Sequence, residues 1–262
     1  MSEIALAGGD VNVGENVVVR VGDAVRRPVG PHTPAVHALL RHFESVGLRG
    51  VPRVLGTDPD GRELLSYVEG DAALAPVPSS DDAVADIGRF LRAMHDAQAE
   101  FLPPERAPWQ RMVGAPVGGE VVCHNDLFWP NLVFDQDRLV GLIDWDLAAP
   151  APRLHDLASA ANFWVALRPD DQCEAWGVPT DRRASRLRAL CDGYGLERAR
   201  RPQLLDAIER KTAIGLATYR TWGRDERRPG WDGLWDRDQD RYLVARRDWF
   251  DAHRREIDRW LS

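Results

Sequence analysis

Apolar residues in the first 70 positions of the chain come in short runs that are separated by glycine-bearing turns. Runs of this length are typical of β-strands, and they predict strands at residues 17–21, 24–27, 51–55 and 63–68. One stretch instead has helical spacing. Its helix begins at Thr33 and Pro34, an N-cap and first-turn pair, and ends at Gly47. The apolar stripe of this helix consists of Val36, Leu39, Leu40, Phe43 and Val46.

Beyond residue 80 the apolar residues recur mainly at helical spacing. Ser80 followed by two aspartates caps a helix, and the stripe behind it consists of Val84, Ile87, Leu91 and Met94. Further helices are predicted at residues 156–165, 181–194, 202–222 and 236–261. We therefore predict an α+β fold, with a small antiparallel sheet and one helix first and a larger, mainly helical part after it.

The segment that follows residue 120 carries the most specific arrangement of polar residues. An apolar strand ends at His124, which is followed by Asp126 and, five residues later, by Asn131. Two apolar runs joined by a polar turn then predict a β-hairpin over residues 132–143 that leads to Asp144. Such a hairpin brings Asn131, where it begins, beside Asp144, where it ends.

This order of residues is typical of a phosphoryl-transfer site. Asp126 would meet the attacking hydroxyl, whereas Asn131 and Asp144 would hold Mg²⁺ against the nucleotide phosphates. Mg²⁺ prefers hard oxygen ligands, which an amide oxygen and a carboxylate supply. His124 more often orders such a loop than acts as a base. An aspartate after an apolar strand also occurs in ordinary turns, but the two patterns in this order are hard to attribute to chance.

Composition narrows the remaining classes of function. The chain has 262 residues and a net charge of −7, so nucleic acid is not an expected partner. No apolar run approaches the roughly 20 residues that cross a bilayer, and no signal pattern begins the chain, so no membrane partner is expected. Three widely spaced cysteines, with no C-x-x-C pair, indicate reduced thiols in a cytoplasmic protein.

The segment from about residue 121 to residue 157 resembles the aminoglycoside phosphotransferase and choline kinase-like family, part of the protein-kinase-like superfamily. The resemblance rests on the catalytic loop at His124 and Asp126, on Asp144 as the metal-binding acid, and on Asp156 as a later structural acid. Asn125 stands where many members carry glycine, which removes no catalytic group.

The resemblance implies a bilobal protein-kinase-like fold. Its N-terminal nucleotide-binding lobe would comprise residues 1–68, and residues 69–262 would form a helical lobe with the catalytic loop and the acceptor site. A glycine-bearing turn at residues 8–14 would cover the nucleotide. The hinge whose backbone meets the adenine edge would consist of Ser66, Tyr67 and Val68.

The chain departs from the family where a lysine usually anchors the α- and β-phosphates. Arg26 or Arg27 occupies that position, and because side chains alternate along a strand, only one of them can point inward. An arginine can clamp phosphates bidentately. The usual glutamate partner is also missing, because the first acid in the following helix is Glu44; His37 is the nearest polar candidate for its place.

Three further features are open to two interpretations each. Asp146 would reach a second metal ion or cap its loop, and Asp156 would brace the catalytic loop or cap a helix. The aromatic and acidic residues at 231–240 would bind a cationic ligand or form a solvated loop.

The expected function is transfer of the γ-phosphoryl group from ATP or GTP, with Mg²⁺, to a hydroxyl of a small molecule. Antibiotics such as an aminoglycoside, which would make this a resistance enzyme, and amino alcohols or sugars all remain open as acceptors, as does the oligomeric state. Two alternatives remain. One is a non-catalytic pseudokinase or immunity protein that sequesters a toxic small molecule, since some relatives with this arginine carry an immunity label. The other is a kinase that acts on Ser or Thr of a natural-product precursor peptide.

Overall fold

The N-terminal part of the protein is a five-stranded antiparallel sheet with one helix. The computed structural model describes residues 3–6, 18–72, 77–78 and 80–262. The elements of this part are β1 (Glu3–Ala5), β2 (Val19–Val21), β3 (Ala24–Arg27), α1 (Thr33–Ser45), β4 (Val54–Thr57) and β5 (Glu63–Ser66). The strand order is β1-β2-β3-β5-β4, and every neighbouring pair is antiparallel. The glycine-bearing turn predicted at residues 8–14 lies outside the described residues.

The remaining part of the chain is mainly helical. Its helices are α2 (Asp81–Asp96), α3 (Leu154–Trp164), α4 (Asp170–Ala175), α5 (Arg183–Tyr194), α6 (Pro202–Thr218), α7 (Trp231–Asp236) and α8 (Asp240–Leu261). Its strands are β6 (Val121–Cys123), β7 (Leu132–Asp135), β8 (Arg138–Leu142) and β9 (Ala149–Ala151), which pair as β6 with β9 and β7 with β8. The predicted α+β class and the predicted hairpin are confirmed. The lobe boundary after residue 68 stays a prediction.

None of the described helices combines the length and the apolar content that crossing a membrane requires.

Helix α1 joins the small sheet to the loop that carries Asp144. Its side chains Leu39, Leu40 and Phe43 are fully buried, and the Phe43 ring lies 5.5 Å from the ring of Trp145. Two details of the prediction are wrong. Thr33 is the first helical residue rather than the N-cap, and Val46 is 51% exposed because the helix has already ended there.

Several boundaries in the C-terminal half also differ from the prediction. The helix predicted to reach residue 222 is α-helical to Thr218 and continues as a π-helix over Tyr219–Asp225. The solvated loop expected at residues 231–240 contains α7, and α8 begins at Asp240. Acids in the first turn favour these helix starts because they complement the helix dipole. The alternative that residues 231–240 bind a cationic ligand stays a prediction.

Helices α2 and α5 approach each other so closely that glycine is required at the contact. A Cβ atom on Gly88 would lie 2.4 Å from the carbonyl oxygen of Leu190, and one on Gly193 would lie 2.2 Å from that of Ala85. Backbone atoms cannot move aside as a flexible side chain can. The close contact fixes the two helices that pack behind the catalytic loop.

We predict that Gly88→Ala destabilises the protein by more than about 2 kcal/mol, because the helices must separate. Gly215→Ala is the matched control within α6. There a Cβ atom would meet only the Cδ1 atom of Leu243, at 3.6 Å, so the better helix former should raise stability by about 0.5–1 kcal/mol. Chemical denaturation followed by tryptophan fluorescence measures both changes. Equal effects of the two substitutions would contradict the close-packing argument.

Candidate active site

The catalytic loop leads from β6 into β7 through a short 3₁₀ turn at Trp129–Asn131. The Asn131 side chain folds back on Asp126: its Nδ2 atom donates to the Oδ2 atom of Asp126 at 2.9 Å and to its carbonyl oxygen at 3.0 Å. The Ile143 amide donates to the Asn131 carbonyl at 2.8 Å. The hairpin therefore brings the residue before Asp144 onto Asn131, in the arrangement that the sequence predicts.

Asp156 supports the catalytic loop from its buried side. It is completely buried, and its carboxylate accepts hydrogen bonds from the backbone amides of His124 at 2.9 Å and Asn125 at 2.8 Å. The Nε2 atom of His95 lies 3.1 Å from the same carboxylate. Burial opposes ionisation, but these partners outweigh it and lower the pKa of Asp156 to about 2. Asp156 is the third residue of α3, so the N-cap alternative is wrong.

His124 and His95 both order the site rather than face it. The Nε2 atom of His124 lies 3.0 Å from the Ile143 carbonyl oxygen, and its ring meets that of Trp145 edge-on at 4.7 Å. His95 is fully buried between Asp156 and the Tyr194 hydroxyl. Nothing in the local sequence pattern of α2 indicated this role for His95.

Two residues of the site adopt left-handed backbone conformations. Asn125 has φ of 69° and Asp144 has φ of 63°. Asparagine and aspartate tolerate this region better than other non-glycine residues. The left-handed conformation of Asn125 explains why asparagine can stand where the family resemblance expects glycine.

Arg27 lies among the acids at the mouth of the site. Its Nη1 atom is 3.3 Å from Asp144 Oδ1, its Nη2 atom contacts Asp146, and its Nε atom is 3.2 Å from Glu63 Oε1. Burial alone would lower the pKa of Arg27, but Asp146, Asp144 and Glu63 raise it above its ordinary value. Arg27 is therefore a permanent cation in this cluster.

The two aspartates beside Arg27 respond differently to their surroundings. Burial, opposed in part by Arg27, raises the pKa of Asp144, to which Asp146 and Asp126 also contribute. Asp146 also loses part of its hydration, yet Arg27 and His32, whose Nε2 atom lies 3.2 Å away, hold its pKa below the ordinary value. Asp146 caps neither a helix nor its own loop; it pairs with the small sheet and with the segment that precedes α1.

Arg26 points away from the site, as strand alternation requires. It forms ion pairs with Glu3 at 3.2 Å, Asp58 at 3.5 Å and Asp60 at 3.8 Å. Of the two arginines that the sequence left open, Arg26 is therefore the wrong candidate for the phosphate anchor, and Arg27 alone faces Asp144.

Glu63 supplies the acid that α1 lacks. It stands directly opposite Arg27 in the antiparallel pairing of β3 with β5, and its Oε2 atom lies 2.6 Å from Nε2 of His37. The place of the usual lysine–glutamate pair is thus taken by a row of Arg27, Glu63 and His37. His37 was expected there, whereas Glu63 was recognised only as the start of a strand.

Comparison with known proteins agrees with this geometry. The model of the phosphotransferase enzyme family matches residues 11–114 and 109–199. The chain belongs to this phosphotransferase family. Its 39% identity to the trifolitoxin immunity protein of Rhizobium leguminosarum bv. trifolii extends over 211 residues, 79% of either protein.

A further relative agrees with the family assignment, and a solved structure shows the fold. A homoserine kinase of Pseudomonas aeruginosa is 30% identical over 198 residues, which are 75% of this chain but only 52% of that enzyme. The structure of a choline kinase from Cryptosporidium parvum Iowa II superposes with a TM-score of 0.59 and 12% identity, over 99% of this chain and 92% of that chain. Such a likeness shows the fold, and it confirms the bilobal kinase-like fold.

The predicted phosphotransferase hinge is partly engaged within the small sheet. The Ser66 hydroxyl accepts from the Arg53 amide at 2.8 Å, and the Tyr67 amide donates to the Asp23 carbonyl at 2.8 Å. The guanidinium of Arg20 covers the Tyr67 ring at 3.6 Å. Within the predicted hinge, Val68 has the fewest such hydrogen bonds and ring contacts.

Lys211, the only lysine in the sequence, supports the catalytic loop. It lies on α6, and its Nζ atom donates to the Asn125 carbonyl at 2.6 Å. Burial lowers its pKa, while Asp156 and Asp126 act in the opposite direction. No spacing in the sequence relates residue 211 to residue 125, so this contact could not be predicted.

We predict that Asp156→Asn lowers stability by about 2–4 kcal/mol at pH 7, because one buried donor loses its charged acceptor. Since the pKa of Asp156 is depressed to about 2, its contribution is complete above about pH 4 and is lost as the pH falls towards 2. Asp96→Asn is the control. Asp96 forms exposed ion pairs with Arg92 and Arg153, so its loss should cost less than about 1 kcal/mol. Thermal unfolding across this pH range measures both variants. Similar losses of stability for Asp156→Asn and Asp96→Asn would contradict the supporting role of Asp156.

Proposed function

We propose that the protein transfers the γ-phosphoryl group of ATP or GTP to a hydroxyl of a small molecule, with Mg²⁺ as cofactor. The observation that carries this proposal is the meeting of Asp126, Asn131 and Asp144 at the end of the β7–β8 hairpin. Each has the side-chain chemistry that phosphoryl transfer requires.

Asp126 would position the acceptor hydroxyl and accept its proton. Positioning dominates catalysis of phosphoryl transfer, because the transition state is loose and little covalent chemistry falls to the protein. The hydrogen bond from Asn131 already fixes the orientation of the Asp126 carboxylate. Asp126 needs this support because its loop is short and carries a left-handed residue immediately before it.

Asn131 and Asp144 fit a magnesium ion by the chemistry of their donor atoms. Because the Nδ2 atom of Asn131 faces Asp126, its amide oxygen is the atom left for a metal, and Asp144 adds a carboxylate. Bound Mg²⁺ would neutralise charge that develops on the transferred group. Arg27 would anchor the nucleotide phosphates from β3, with Glu63 holding its Nε side, and the backbone of Ser66, Tyr67 and Val68 would line the base.

A second candidate is a protein that binds a toxic small molecule and does not turn it over. Two observations favour it. The similarity to the trifolitoxin immunity protein extends over most of both chains, and Arg27 contacts Asp144 and Asp146, which a metal site would need free. A binding protein would keep the contacts of Arg27 with Asp144 and Asp146. A kinase would have to break them each time a nucleotide and its metal ion bind.

We predict that ATP or GTP binds in a Mg²⁺-dependent manner and that Asp144→Ala weakens this binding by more than about tenfold. Asp126→Ala should leave nucleotide affinity within a few-fold but reduce turnover by more than about 100-fold. Asp135→Ala, at the exposed end of β7, is the control and should change neither quantity. Calorimetric titration with and without Mg²⁺, together with release of the nucleoside diphosphate, gives both measurements. No nucleotide binding under any condition would favour the sequestering protein.

We also predict that Arg27→Ala weakens nucleotide binding by about 10- to 100-fold, because a charge-assisted contact to phosphate is lost. Arg26→Ala removes an arginine next to it in sequence, on the opposite face of β3, and should leave nucleotide affinity unchanged. Arg27→Lys should retain part of the affinity if Arg27 works as the phosphate anchor. Equal nucleotide affinities of the Arg27→Ala and Arg26→Ala variants would show that Arg27 is no anchor.

A further inference from the structure

Two arginines in the helical part are buried without a carboxylate partner. Arg168 is 7% exposed and Arg246 is 5% exposed, and no acid among the described residues forms an ion pair with either. Arg168 donates one hydrogen bond, from Nη2 to the Asn162 carbonyl at 2.6 Å, and Arg246 has only a long one, to the Thr212 hydroxyl at 3.4 Å. The Nε atoms of both have no partner. Their donor capacity is therefore largely unused.

The two guanidinium groups share one aromatic surface. Arg168 lies 5.2 Å from the Trp129 ring centroid and 5.3 Å from that of Phe163, and Arg246 lies 5.9 Å from the Phe163 centroid. Burial lowers the pKa of Arg168 to about 10, and burial together with repulsion by Arg168 lowers that of Arg246 to about 9. Ring faces offset part of the cost of burying a cation, but they do not satisfy its N–H donors.

This pair of arginines is connected to the catalytic loop through residues on either side of Asp126 in the sequence. Trp129, which Arg168 covers, follows Asp126 in the loop. Thr212, which Arg246 contacts, is next to Lys211, whose Nζ atom holds the Asn125 carbonyl just before Asp126. The pair therefore packs among α3, α6 and α8, and it reaches the catalytic loop through Trp129 and Lys211.

A buried cation without a partner is costly, and other recessed arginines among the described residues do have an acid partner. Arg27 has three acids and Arg201 has Asp192. Arg186 is also buried without a hydrogen-bond partner for its guanidinium, but it lies on α5, and the acids that influence it are Asp181 and Asp81 rather than those of the site. Two adjacent unpaired guanidinium groups beside a catalytic loop are the donor set that a carboxylate fits bidentately.

We propose that Arg168 and Arg246 bind a carboxylate of the acceptor, so that the acceptor is a small hydroxy acid and not a polycation such as an aminoglycoside. This inference rests on the proposed phosphotransferase function. The acceptor hydroxyl oxygen forms a bond to the γ-phosphorus, the bond to the bridging oxygen breaks, the nucleoside diphosphate leaves, and the hydroxyl proton passes to Asp126. The buried, unpartnered Oδ1 atom of Asn162, the residue that Arg168 contacts, offers an acceptor for a further donor on the same molecule.

A titration series of hydroxy acids tests this proposal on the full-length protein. The probes are glycolate, 3-hydroxypropionate, 4-hydroxybutyrate, L-serine and L-homoserine, which vary the distance between carboxylate and hydroxyl. Their amides and the corresponding diols are controls without the negative charge, and kanamycin is the cationic control. We expect at least one hydroxy acid to bind, and its amide or diol to bind about 10- to 100-fold more weakly.

Arg168→Met and Arg246→Met remove the charges and keep much of the volume. Each should weaken hydroxy-acid binding about 10- to 100-fold, yet raise the melting temperature of the ligand-free protein, because an unpaired buried cation is removed. Arg186→Met is the matched control: it also removes an unpartnered buried arginine but should leave hydroxy-acid binding unchanged. A merely structural role for Arg168 and Arg246 would instead lower the melting temperature and spare binding.

Mg²⁺-nucleotide titration of the same samples separates the two proposals. If nucleotide binds while the whole hydroxy-acid series fails, the carboxylate site is overturned and the phosphotransferase proposal stands. If hydroxy acids bind through the two arginines while nucleotide does not bind, the carboxylate site stands as a sequestering site. Kanamycin binding that the methionine substitutions leave unchanged would overturn the carboxylate site. So would binding of a peptide alone, with an affinity that does not change when its terminal carboxylate is amidated.

Discussion

The arrangement of the catalytic loop depends on the buried carboxylate of Asp156. A single ionised side chain with no exposure ties α3 to two consecutive amides of the loop and to His95 on α2. Without it, those amides would be buried donors with no acceptor. The left-handed conformation of Asn125 would then lose the hydrogen bond that stabilises it. Asp126 follows Asn125 directly, so its orientation depends on that conformation. Lys211 secures the other side of the same peptide by holding the Asn125 carbonyl.

Electrostatic balance governs the nucleotide side of the site. Glu63, Asp144 and Asp146 converge on Arg27, and so many carboxylates could not stay ionised together without a central cation. Arg27 provides that charge in this structure. In a phosphotransferase, a metal ion and Arg27 would share the acids once phosphates arrive, so nucleotide and metal would bind cooperatively. In a sequestering protein, Arg27 would stay paired with the three acids permanently. These contacts would then only stabilise the junction between β3 and the loop after β8.

The sequence predicted those parts of the site that are local in the chain. Asp126, Asn131 and Asp144 lie within one loop and one hairpin, whose register follows from alternation and turn chemistry, so their meeting could be foreseen. Strand alternation also required that only one of Arg26 and Arg27 face inward, but choosing between them required the sheet register. Glu63 opposite Arg27 needed the same register. The supports His95 and Lys211 come from distant helices, and no spacing in the sequence connects them to the loop.

Charge divides the site into two halves of opposite character. Glu63, Asp144 and Asp146 collect around Arg27, where the proposed metal and phosphates would bind, whereas Lys211, Arg168 and Arg246 collect among α3, α6 and α8. The net charge of −7 does not reveal this separation, because it is a sum over the whole chain. A polycationic acceptor would be repelled by the second half of the site, while an anionic acceptor would satisfy donors that the fold leaves without partners. On the proposed function, the choice of acceptor would therefore depend on residues that no sequence pattern connects and that become adjacent only when the C-terminal helices pack.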